Sequence, residues 1–275
     1  MLAPRPREAA EAPEPGAISA TLSAAMLHPG PLGSFGGHME SRLQPVFPRE
    51  PMSQPGVAVA ESQNRVLRNT YWLLALSMLP TIAGAWVGMQ MNFVGLFRSA
   101  PILAPLAMFG VMLAALFGVT ALRNSAWGVP ALFGFTFIAG VMLAPILSVA
   151  AGFRNGGQLV ALAGGMTAAI FFAMAAIATV TKRDFAFLGK FLFVGLVVLI
   201  VASLANLFFQ IPAVSLTISA VAVLLFSMYL LHDVSRIVRG GETNYITATL
   251  NLFLDVYNIF ISLLQLLLAF TGQRD

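Results

Sequence analysis

The chain has no cysteine, three histidines and few charges. Without cysteine there are no disulfides, no thiolate metal sites and no thiol nucleophile. Two of the histidines, His28 and His38, fall in the N-terminal tail, which leaves His232 alone in the rest of the chain. A histidine metal centre or a Ser-His-Asp triad therefore has almost nothing to build from. Charged residues are 9% of the 275 residues, hydrophobic residues 58%, and the mean hydropathy is +0.85. A soluble domain carries roughly 25% charge, so a chain this poor in charge cannot cover itself with polar groups in water. It reads as a multi-pass membrane protein.

The formal net charge of +4 is not a nucleic-acid signal. Before Tyr71, Arg5, Arg7, Arg42, Arg49, Arg65 and Arg68 are balanced by Glu8, Glu11, Glu14, Glu40, Glu50 and Glu61. The excess lies in the connections between apolar segments, where membrane proteins keep basic residues for topology. No nucleic-acid partner is expected.

Two regions are expected. Residues 1–62 hold ten of the sixteen prolines, with many alanines and glycines. That composition buries too little apolar surface to offset backbone entropy and reads as a disordered cytoplasmic tail. Met39 and Met52 are alternative starts to Met1. Residues 63–275 form the membrane domain. A bilayer crossing takes about 20 apolar residues, and seven stretches qualify: 70–91, 101–122, 127–150, 158–181, 185–209, 213–231 and 247–270. The uncharged run 191–231 exceeds one helix, and Gln210-Ile211-Pro212 divides it. Only helices and closed barrels satisfy their own backbone in lipid. These runs are too long for the alternating strands of a barrel. The expected fold is an all-α bundle of seven transmembrane helices. Arg65, Arg68, Arg123, Lys182, Arg183, Arg236 and Arg239 lie on one side, and Arg98, Arg154 and Arg274 on the other. That asymmetry places the N-terminus in the cytoplasm and the C-terminus outside a plasma (bacterial inner) membrane.

Gly84 and Gly88, Gly134 and Gly140, and Gly164-Gly165 read as small residues that let helices approach closely. Pro80, Pro105 and Pro145 lie within spans and are expected to kink them.

Three ionisable residues fall within the spans: Lys190, Asp233 and Asp255. Lys190 lies one turn into the fifth helix and can snorkel to the interface. Asp255 lies roughly 12 Å into the last helix at 1.5 Å per residue. A carboxylate there should face the bundle interior and have a partner. The last helix carries Thr247, Asn251, Asp255, Asn258, Ser262 and Gln265 at steps of three and four, which puts all of them on one face. Such a stripe either hydrogen-bonds to other helices or lines a hydrated path controlled at Asp255.

Asp233 and Asp255 are equidistant from position 244, just past Gly240-Gly241. Two antiparallel helices joined there bring the aspartates to the same depth. Two carboxylates in a poorly solvated site cannot both ionise cheaply, so they should share a proton and titrate as a unit. The pair would sense protons or hold a cation, with transient calcium as the metal candidate and no obligatory cofactor. The alternative is that Asp233 pairs with Arg236 one turn away on its own helix. His232, as the adjacent residue, should point off that face.

Gly240-Gly-Glu-Thr-Asn-Tyr-Ile-Thr-Ala-Thr-Leu, running on through Leu254-Asp-Val-Tyr-Asn-Ile-Phe260, resembles the signature of the Bax inhibitor-1 family, and of its bacterial YccA-like branch in particular. Asn64-Arg-Val-Leu-Arg-Asn-Thr-Tyr71, Ala144-Pro-Ile-Leu147 and Lys182-Arg-Asp-Phe-Ala-Phe-Leu-Gly189 fit the same branch. The resemblance spans residues 64–272 and leaves the tail without a counterpart. It implies seven helices with the last one central, surrounded by the other six. It also implies a paired-aspartate proton sensor at Asp233 and Asp255, and a pH-dependent calcium leak. In that family picture an arginine of the second helix engages the pair in the closed state, and Arg123 is the nearest position here. The branch is also tied to a membrane-anchored ATP-dependent protease, as substrate or modulator. Since some of the branch lack one or both aspartates, their presence here favours a cation leak over the protease role. No enzymatic activity is expected. The last helix has no lysine for a retinal Schiff base, no Gly-x-Ser-x-Gly occurs, and no inverted repeat of a secondary transporter is apparent.

Overall fold

The structure is a computed structural model that describes residues 55–91, 93–181 and 185–272. Residues 1–54, which make up most of the expected tail, lie outside the described residues, as do Lys182, Arg183 and Arg274. The described chain forms α1 (Pro55–Gln90), α2 (Phe93–Ser99), α3 (Leu103–Leu122), α4 (Gly128–Ala151), α5 (Gly156–Val180), α6 (Leu188–Phe209), α7 (Pro212–Val238) and α8 (Tyr245–Gly272). All but α2 contain a segment long and apolar enough to cross a membrane, the first of these being Asn64–Gln90. The fold is all-α with seven membrane-spanning helices. It departs from the sequence reading at three places. α1 begins at Pro55, inside the stretch read as tail. The short helix α2 was not foreseen. α7 continues past Leu231 to Val238, which puts Asp233 and Arg236 on regular helix.

α8 is the central helix and packs against α1, α4, α5 and α7. α3 packs on α4 and α6 on α7, so these two are outer helices, not part of a complete ring around α8. Large apolar side chains such as Trp72, Phe172 and Leu224 point outward, as lipid-facing surfaces require. With no hydrophobic drive between helices in lipid, packing rests on close approach and interhelical hydrogen bonds. The α1–α4 seam shows the first. A Cβ on Gly84 would collide with the carbonyl of Phe137, and one on Gly140 with the carbonyl of Thr81. By contrast, a Cβ on Gly134, Gly164 or Gly165 would meet nothing within 4 Å, so these glycines do not form the close contacts expected of them. Tyr257 on α8 supplies the second kind of contact, donating its hydroxyl to the Ala139 carbonyl of α4 at 3.0 Å. Pro80 and Pro145 sit inside α1 and α4. Pro105 lies in the first turn of α3, where a missing N–H breaks no helical bond, so it need not kink the helix.

Two connections set the positions of α6, α7 and α8. Between α6 and α7, Gln210 adopts the left-handed region at φ 52° and donates its N–H to the Asn206 carbonyl at 2.7 Å. The Asn206 side chain accepts from the Ile211 N–H at 3.0 Å, and Pro212 opens α7. Between α7 and α8, Gly240 has φ 74° and donates to the Ile237 carbonyl, while Gly241 donates to the Arg236 carbonyl at 2.8 Å. These two bonds make a Schellman cap, whose left-handed residue favours glycine. Asn244 then caps α8, its Oδ1 accepting from the N–H groups of Ile246 and Thr247 at 2.9 and 3.0 Å. Its Nδ2 donates to the Arg123 carbonyl and to Asn124 Oδ1, which ties the end of α3 to the start of α8.

Candidate charged site between α6, α7 and α8

Asp233 lies near the end of α7 and Asp255 on the third turn of α8. The antiparallel hairpin brings both to the wall of one cavity of about 690 Å³, at the end of the bundle where α1 begins. The expectation of equal depth therefore places the two carboxylates at one site. Both are buried, at 9% and 4% exposure. Lys190, His232, Arg236 and Asn251 line the same cavity.

The partners differ from those expected. His232 Nδ1 and Asp233 Oδ1 lie 2.7 Å apart. His232 is itself buried and faces α6, where a Cβ on Gly189 would stand 3.0 Å from its Nε2. The expectation that His232 points away from the site is thus corrected. Neighbouring Cα–Cβ bonds diverge on a helix, but rotation about χ1 and χ2 lets two such side chains meet. The signal for it was a histidine beside an intramembrane aspartate, opposite a glycine that leaves room for the ring. The alternative pairing of Asp233 with Arg236 is also corrected. Arg236 reaches the loop instead, with its guanidinium 3.7 Å from Glu242 Oε2 and 3.5 Å from the Gly241 carbonyl. It still borders the cavity. Asp255 has no such neighbour, and its Oδ2 is buried without a hydrogen-bond partner.

Arg123 is the C-cap residue of α3 and is exposed. It does not line the cavity, and among the described residues it has no carboxylate partner. Its carbonyl has a structural role as acceptor for Asn244.

The polar stripe of α8 divides into two parts. Asn251 and Asp255 face the cavity. Beyond them Asn258 donates to the Leu254 carbonyl of its own helix at 2.8 Å, and Gln265 accepts from Ser219 of α7 at 2.7 Å. Ser262 is buried, and Thr247 Oγ1 is buried without a partner. Asn258, Ser262 and Gln265 lie outside the cavity, so in this conformation the stripe does not line one continuous path. Among the described residues no three His, Asp or Glu side chains gather as a metal-holding cluster. Asp233 and Asp255 offer a cation carboxylate contacts, not a built metal site.

Comparison with known proteins agrees with this architecture. The family profile described as "Inhibitor of apoptosis-promoting Bax1" matches residues 63–272. An uncharacterized protein of Neisseria meningitidis is 43% identical over 218 residues, covering 77% of this chain and 94% of its own. A Vibrio cholerae protein called an uncharacterized membrane protein is 38% identical over 204 residues, covering 74% and 89%. An Escherichia coli K12 protein named as modulator of FtsH protease YccA is 40% identical over 209 residues, covering 75% and 90%. With the match running through every membrane-spanning helix, the chain belongs to the Bax inhibitor-1 family of multi-pass membrane proteins.

Proposed function

We propose that this protein is a membrane-embedded modulator of a membrane-anchored ATP-dependent protease of the FtsH type. The observation that carries this reading is the similarity, through nearly the whole bundle, to a relative named for that role. The basic residues Arg65, Arg68, Arg236 and Arg239 cluster at the end of the bundle where α1 begins. The positive-inside rule makes that end cytoplasmic, the side from which an ATP-driven machine draws its substrates. No chemistry of the protein's own is needed for this role. The test is co-purification from gently solubilised membranes after in-cell crosslinking. Recovery of the protease with the full chain, at a level above that of an unrelated seven-helix protein, supports the reading. Equal recovery with both proteins contradicts it.

A second reading is favoured by the unpartnered carboxylate of Asp255. A buried carboxylate without a donor is costly in lipid and marks ion pathways or proton relays. In this reading the protein passes cations, calcium among them, and a proton held at Asp255 is lost as pH rises, leaving two carboxylates on one cavity wall. The doubly ionised pair repels itself and gains from a cation or from water entry. Calcium flux into proteoliposomes would then depend on pH near neutrality, and Asp255→Asn would remove that dependence. An unchanged pH profile in Asp255→Asn would leave Asp255 outside any gate.

A further inference from the structure

The cavity between α6, α7 and α8 holds charges of both signs, and two of them lack partners. Asp255 is 4% exposed and its Oδ2 has no donor. Lys190, on the first turn of α6, lines the same cavity and has no carboxylate partner among the described residues. Asp233 is taken by His232, and Arg236 by Glu242. Gly189, the residue before Lys190, packs against the His232 ring.

The remaining wall is mostly apolar, with the polar side chains of Tyr229 and Asn251 also on it. Phe193, Leu196, Phe226 and Leu254 line it, and Phe193 is 63% exposed on the outer side of the bundle. α6 packs on α7 but makes no comparable packing with α8. Direct packing of α6 on α8 does not close the cavity there, and the exposed, apolar Phe193 gives that side a lipid-compatible face.

An occupant has to bring an N–H donor of positive charge to Asp255, an anion to Lys190, and an apolar chain to Phe193 and Leu196. A bare metal ion meets only the first need and places its charge beside Lys190. A free anion meets only the second and faces two carboxylates. We propose that this cavity binds a zwitterionic phospholipid with a primary-ammonium headgroup. The ammonium donates to Asp255, the phosphate accepts from Lys190, and an acyl chain leaves between α6 and α8. A trimethylated ammonium lacks the N–H that Asp255 requires, so a choline headgroup fits less well. The volume of about 690 Å³ is within the range of roughly 300–1,000 Å³ found for small-ligand sites. The site stands whether the protein acts on a protease or passes cations.

The test is native mass spectrometry of the full chain, released from membranes of equal phosphatidylethanolamine and phosphatidylcholine with matched acyl chains. The wild type should retain phosphatidylethanolamine about tenfold over phosphatidylcholine, the scale of one charge-assisted hydrogen bond. Asp255→Asn and Lys190→Gln should each bring the ratio close to parity. Lys190 is exposed, so its variant remains informative if the aspartate variant folds poorly. Equal retention of both lipids by the wild type overturns the proposal, as does a preference that survives in either variant. A preference that rises in Lys190→Gln also overturns it, since the lysine is then the internal counter-ion of Asp255. Displacement by soluble phosphoethanolamine at equal concentration shows headgroup binding alone and removes the lipid from the assignment.

Discussion

His232 Nδ1 and Asp233 Oδ1 are 2.7 Å apart, although the two residues are consecutive on one helix. The contact gives Asp233 a partner and leaves Arg236 to the α7–α8 loop. His232→Ala leaves a buried carboxylate unsatisfied, and a loss of about 1–3 kcal/mol is expected. Arg236→Ala removes a 3.7 Å pair whose arginine side chain is 39% exposed, and such pairs contribute at most about 1 kcal/mol. Unfolding midpoints of the two variants in one detergent check this order. A larger loss for Arg236→Ala would show that the arginine, not the histidine, supports the site.

The α1–α4 seam predicts a contrast among glycines. Gly84→Val and Gly140→Val force a side chain against a backbone carbonyl of the facing helix, which cannot move without shifting that helix. Overpacking of this kind costs about 1–3 kcal/mol. Gly164→Ala adds a methyl group where nothing lies within 4 Å, and it removes a helix-interior glycine. It should leave stability unchanged or raise it slightly. Thermal unfolding of the three variants checks the difference, and equal losses at all three positions would contradict it.

Asn244 joins two tasks in one side chain, capping α8 and tethering the end of α3. Asn244→Asp keeps the capping oxygen and loses the tether, whereas Asn244→Ala loses both. The alanine variant should be less stable by about 1 kcal/mol, and the aspartate variant by less. Equal stability of the wild type and Asn244→Ala, measured by chemical denaturation in detergent, would show that neither bond matters.

Much of this arrangement was legible in the sequence because lipid imposes simple rules. A spanning helix needs a continuous apolar run, so the seven appeared within a few residues of their positions, except that α1 starts well before residue 70, at Pro55, and α7 runs on to Val238. The shared site of Asp233 and Asp255 followed from counting outward from Gly240-Gly241, since antiparallel helices preserve depth. What was not legible depends on side-chain torsions and on which helices touch. His232 meets Asp233 through rotation that residue spacing does not encode. Gly164 and Gly84 look alike in sequence, yet only Gly84 faces a neighbouring backbone. Arg123 entered through family resemblance, and its position at the end of α3 gives its carbonyl, not its guanidinium, a visible partner. α2 is seven residues long, too short for apolar periodicity to mark it.

Orientation has its own check. Seven crossings put the two ends of the bundle's chain on opposite sides, and the positive-inside rule predicts a cytoplasmic start for α1. A reporter fused after Asp275 should be active only outside the cytoplasm. Cytoplasmic activity would reverse the bundle or remove a crossing.

The most direct measurement is the degradation rate of a membrane-protein substrate by an FtsH-type protease in proteoliposomes, with this protein present or absent at matched lipid and protease. A modulator changes that rate in proportion to its amount, and the change persists when the pH gradient and calcium are removed. A rate that is the same with and without the protein, at every ratio of the two, would contradict the protease role and leave cation passage at Asp255 as the reading to pursue.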